Sequence, residues 1–149
     1  MSLPLDAAFR QCARHAEVMQ SAMHQMPLLL TVEMLQQQTT ELTQLLDQFV
    51  LRFTKLLDTL GTQVLRQFAV QILAEPVEDL AFTEVLNLLE RRGYLTAEGW
   101  AEQRSTRNAL THEYPEDPHR QLLALTAARL AAQQLVGWLE KIQARCKNL

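Results

Sequence analysis

The 149-residue chain is poor in residues that interrupt helices: it has 4 glycines and 5 prolines, and the prolines sit mostly where segments would end. So few turn-forming positions over this length leave room for a small number of long helices. Strand patterning is missing too, since no run alternates apolar and polar residues over a strand's length. The only two cysteines, Cys12 and Cys146, lie near opposite ends and match no metal-ligand spacing. Both read as structural or surface thiols in a reducing compartment. A basic surplus is lacking as well, and the net charge of −3 argues against a broad duplex-binding face.

Several functional signatures are absent. There is no glycine-rich phosphate loop, no Gly-x-Ser-x-Gly and no dinucleotide fingerprint, so nucleotidyl transfer by this chain itself is not expected. No apolar run approaches the ~20 residues that span a bilayer. The start has no basic-then-apolar secretion pattern. The expectation is a cytoplasmic protein with no membrane contact.

What is present suits one globular domain over 1–149: 48% hydrophobic and 21% charged residues, enough to bury a real core. A first helix is expected over 5–26, with Met19, Met23 and Met26 as core filler at helical spacing. Pro27 interrupts it, and Thr31 can cap the next helix. There Leu35, Leu42, Leu46, Phe49, Phe53, Leu56 and Leu60 fall on three- and four-residue steps, with Thr39 filling the one gap. Gly61 weakens but does not forbid one continuous rod through Ile72, which stops before Pro76. Phe82, Val85, Leu86 and Leu89 mark a shorter helix ending at Arg91, Arg92 and Gly93. Thr96 caps the next, and Asp117 followed by Pro118 starts the last, which runs through Leu123, Leu130, Leu135, Trp138 and Ile142. The predicted fold is all-α, an up-and-down bundle of four to five helices.

The chemistry is concentrated in the string Arg107-Asn108-Ala109-Leu110-Thr111-His112-Glu113-Tyr114, just before Pro115. Arginine is a permanent, planar, forked cation suited to phosphate oxygens. Histidine moves a proton near neutral pH without a shifted pKa. Together they are minimum parts for cleaving a phosphodiester without a metal. Arg104 shares a helix face with Arg107 and Asn108. His112 follows Arg107 by five residues, about 140° around an ideal helix, so the two would not meet on a straight rod. They converge if the helix loosens before Pro115, or each meets its counterpart from a second copy across a two-fold axis. His15, His24 and His119 have no partners at ligand spacing and read as incidental. Asp117 reads as a cap rather than half of a carboxylate pair with Glu116.

Trp100, Arg104, the Arg107-Asn108 to His112-Glu113-Tyr114 string and the acidic Glu116-Asp117 that follows resemble the HEPN superfamily signature. The nearest pattern is the HepT-like branch: Arg, four residues, His, one residue, Tyr. The leucine- and aromatic-rich second helix with Arg52 and Phe53 is also similar to that branch. The likeness covers the last two thirds of the chain, and only the Arg-to-Tyr segment is sharply diagnostic. The resemblance implies a bundle that dimerises with its motifs facing each other, and metal-independent RNA cleavage without a cofactor. It assigns Arg107 and His112 to catalysis, Asn108 to orienting substrate or His112, and Arg104 to substrate binding. It implies a toxin paired with a small nucleotidyltransferase antitoxin, with Tyr114 as the residue that accepts adenylyl groups. The alternative is a non-catalytic subunit that presents a nucleotide or other substrate to a separate nucleotidyltransferase.

Overall fold

Apolar stripes at helical spacing become four long antiparallel helices in the computed structural model, which describes residues 3–112, 114 and 116–147. The first, α1 (Leu5–Gln25), buries Ala8, Cys12, Ala16 and Met19 on one face. Burial pushes the Cys12 thiol up to about 12, so it packs as a small apolar group and not as a nucleophile. Next come α2 (Val32–Gln37) and α3 (Thr40–Thr59). The rod then continues without interruption through a π-turn (Leu60–Val64), the short α4 (Leu65–Gln67) and a second π-turn (Phe68–Ile72). It is followed by α5 (Phe82–Arg91), α6 (Ala97–Thr111) and α7 (Pro118–Lys147).

Cross-helix contacts fix the directions. His15 meets Arg52 while Leu3 meets Gln63, so α1 and the α3 rod run antiparallel. Arg107 meets Asp58, whereas Trp100 lies against Gly61 farther along the rod, so α3 and α6 are antiparallel. Gln103 donates to the Ala131 carbonyl at 2.8 Å, and Gly99 faces Trp138, which sets α7 against α6. Along α7, Arg129 shares a cavity wall with Met23 and Gln143 shares one with Ala13, which closes the ring. The fold is therefore an all-α up-and-down bundle, as expected, with α2 packed on α7 and α5 on α4 and α6.

The second helix differs from its expectation. Thr31 does cap α2, accepting from the Met34 amide at 3.2 Å, but the helix ends at Gln37. Gln38 turns left-handed at φ 49°, and Thr39 restarts the chain by accepting from the Leu42 amide at 3.3 Å. The gap in the leucine ladder is thus a break, because a threonine hydroxyl competes for backbone amides and favours a cap over a helix interior. Leu35, freed from the rod, packs with Leu30 and Leu125 in a satellite cluster.

Other boundaries follow the local chemistry. Gly93 adopts φ 83° after α5, and its carbonyl accepts from Lys141 Nζ at 3.0 Å. Thr96 accepts from the Gly99 amide at 2.9 Å, and Asp117 accepts from the Arg120 amide at 3.1 Å. Gly61 does not break the rod. A Cβ there would stand 3.0 Å from Trp100 Cζ2, so the glycine leaves room for the Trp100 ring of α6 against the rod. Gly99 has the same task toward Trp138, whose ring stacks on Trp100 at 6.4 Å.

An 18-residue window of α7 reaches a mean hydropathy of 1.2, so by length and composition this helix could cross a membrane. In the bundle its Leu125, Ala128, Ala132, Leu135, Leu139 and Ile142 are buried against neighbouring helices. Only 39% of the window is buried, and Leu123 and Leu130 on its open side are 71% and 66% exposed.

Candidate functional site

The groove between α3 and α6 holds most of the motif. α3 and its π-turn supply a run of side chains from Leu46 to Thr62, and α6 runs back along them from His112 to Trp100. Two cavities result. One, of about 380 Å³, is lined by Arg104, Arg107, Asn108, Asp58, Thr62 and the Trp100 edge, among others. The other, of about 580 Å³, is lined by His112 and Tyr114 over an apolar floor of Leu46, Val50, Leu51 and Leu110.

Arg107 is engaged by a residue that the sequence reading missed. Its Nε donates to Asp58 Oδ1 at 3.0 Å, and its Nη2 donates to Asp58 Oδ2 at 2.9 Å. The two residues are 49 apart, so no local pattern could have paired them. The available signal was weak: Asp58 is an acid at the edge of the leucine ladder, directly after buried Leu57. Arg104, Arg107 and Asn108 do share one cavity wall, as their helical spacing requires.

His112 and Tyr114 lie elsewhere. α6 stays helical to Thr111, and His112 then turns to extended backbone at φ −78°, ψ 136°. Arg107 and His112 line different cavities of the groove. Tyr114 is half-buried, with its ring 6.3 Å from that of His112. The Arg120 guanidinium sits over the Tyr114 ring, 5.2 Å from its centre. The parts of the motif that fall on Glu113 and Pro115 lie outside the described residues.

Two polar groups in these walls are unsatisfied among the described residues: the Thr54 hydroxyl beside the His112 cavity and the Trp100 indole nitrogen beside the Arg107 cavity. On another face of α3, Arg52 Nη1 lies 3.1 Å from His15 Nδ1. Arginine can only donate, so His15 accepts and is neutral there. Burial, and then the charges of Arg52 and Lys55, hold the His15 pKa below its ordinary value. His15 thus has a structural partner on α3 that its sequence neighbours do not show. Among the described residues, no three His, Cys, Asp or Glu side chains gather as a metal ion would need. Comparison of the chain with protein-family models, curated proteins and solved structures returned no match.

Proposed function

We propose that the chain is a metal-independent endoribonuclease of the HEPN superfamily, HepT-like branch, and acts as a toxin held in check by a small nucleotidyltransferase. The observation that carries the reading is the Arg107-to-Tyr114 string at the end of a bundle helix, with Arg107 on a groove wall and His112 exposed at the helix end. In the reaction the RNA 2′-oxygen bonds to the adjacent phosphorus while the bond to the 5′-oxygen breaks. One proton leaves the 2′-hydroxyl and another reaches the departing 5′-oxygen, and His112 is the residue that moves them. Arg107 holds the phosphoryl oxygens as charge builds on them. Asn108 and Arg104 orient and bind the strand.

Arg107 and His112 line separate cavities of one chain, and the reading pairs them through a homodimer in which two motifs face each other. The exposed Leu123 and Leu130 on α7 supply apolar surface of the kind such contacts bury. Adenylylation of Tyr114 would add phosphate charge and a purine beside His112, and would exclude RNA.

The same separation favours a second reading, a non-catalytic subunit that presents a nucleotide to a nucleotidyltransferase. Incubating the purified chain with RNA in EDTA, with His112→Ala alongside, separates the two. The ribonuclease reading expects products ending in 2′,3′-cyclic phosphate from the wild type only. Intact RNA under all conditions would leave the binding subunit.

A further inference from the structure

We propose that Asp58 is a positioning residue for Arg107: it grips one edge of the guanidinium so that the other edge stays aimed for a phosphate. The inference rests on the ribonuclease reading and deepens it. A guanidinium carries five N–H donors. Asp58 takes the Nε donor and one Nη2 donor through both of its oxygens, at 3.0 and 2.9 Å. Two donors on Nη1 and one on Nη2 are left, which is a complete second fork at the tip of the side chain. That fork matches two oxygens of a phosphate. The pair therefore does not use up Arg107; it decides which edge remains.

The backbone of the anchor is fixed in the helix. Asp58 stands on α3 between buried Leu57 and Leu60, and its carbonyl accepts from the Thr62 hydroxyl at 2.8 Å. Arginine has a long flexible side chain whose rotamers must otherwise be frozen when substrate arrives. Holding it in advance removes that cost from the reacting complex. The neighbourhood suits an anion: Arg104 and Asn108 share the cavity wall, and Arg104 has no carboxylate partner among the described residues.

A purely structural role explains the geometry less well. Arg107 and Asp58 side chains are 32% and 51% exposed, and ion pairs this wet contribute little to stability. A role as competitor for the phosphate makes the opposite kinetic prediction, because removing a competing carboxylate would raise kcat/KM.

The test uses Asp58→Asn and Asp58→Ala in the full chain, with two readouts. The first is the mobility of the Arg107 Nε–H by nitrogen-15 relaxation. It is expected to be measurably more ordered in the wild type than in both variants. The second is RNA cleavage. Here kcat is expected to fall by about tenfold or more, with KM unchanged or lower because a negative charge has been removed. Melting temperatures should stay within a few degrees of wild type. The proposal is overturned if Arg107 is equally mobile in all three proteins, if kcat is unaffected, if kcat/KM rises, or if activity falls only in step with melting temperature. If the wild type cleaves no RNA, the ribonuclease reading fails by itself, and the Nε–H measurement alone decides whether Asp58 orders Arg107.

Discussion

The two halves of the α3–α6 groove are built by different physics. On the Arg107 side both walls are helical, α6 against the α3 rod and its π-turn, Trp100 is buried in the wall, and a carboxylate from the facing helix clamps the Arg107 guanidinium. On the His112 side the helix has ended, the histidine sits on extended backbone, and the Tyr114 ring lies against the Arg120 guanidinium. The half that would hold charge is assembled in advance, within one chain. The half that would move protons is carried on a helix end, with His112 exposed. A phosphate site gains from rigidity, since its ligand has fixed geometry. A regulated residue gains from exposure, since an enzyme has to reach it.

That contrast breaks most visibly in stability. Trp100→Ala should cost about 3–5 kcal/mol, the range for a buried aromatic whose cavity cannot collapse. Trp100 packs against Phe82, Trp138 and the bare face of Gly61. His112→Ala, by contrast, should shift stability by no more than about 0.5 kcal/mol, because the side chain is exposed. Urea unfolding of both variants checks the pair. Equal losses would show that the two halves are not mechanically distinct.

Activity should reverse that ranking. His112→Ala is expected to abolish cleavage while leaving the fold intact. Arg107→Lys should fail as well, since an ammonium keeps the charge but loses both forks, the one on Asp58 and the free one. Full activity in the lysine variant would make Arg107 structural. EDTA should change nothing, and metal-dependent cleavage would sink the mechanism.

A smaller effect is expected at Tyr114. Tyr114→Phe keeps the ring under Arg120, so cleavage should persist, but the variant should escape neutralisation by a nucleotidyltransferase co-expressed with it. Full neutralisation of the variant would mean that control runs through complex formation alone.

The smallest effect concerns the opposite face of α3. His15 is neutral against Arg52 in the fold, with its pKa lowered, whereas in the unfolded chain it protonates near its ordinary value of about 6.5. The unfolded state therefore binds the proton first. Stability is complete above that pH and declines as pH falls through it. His15→Gln should show a flatter fall in melting temperature between pH 7 and pH 5 than the wild type. Parallel curves would remove His15 from the account.

Much of this molecule was legible from local sequence. Helical stripes, the caps at Thr31, Thr96 and Asp117, and the stop at Gly93 are decided within a few residues, and each stands where its chemistry puts it. The sharing of one wall by Arg104, Arg107 and Asn108 follows from helical spacing alone. Thr39 was misread because a cap and a tolerated polar gap look alike in a ladder of leucines; only the backbone at Gln38 tells them apart.

The rest depended on contacts between residues far apart in the chain. Nothing near Arg107 announces Asp58, and nothing near His15 announces Arg52. Gln103, almost wholly buried, looks like any surface glutamine until α7 offers it the Ala131 carbonyl and the Gln134 amide. By itself the sequence determined the helical stripes, most of the caps and the order of the motif residues, because those follow from backbone hydrogen bonding and side-chain periodicity over short distances. Only the tertiary structure decided that Arg107 is clasped from α3 while His112 faces a different cavity. Which side chains meet across a bundle depends on how whole helices cross, and that is set by the packing of the entire core.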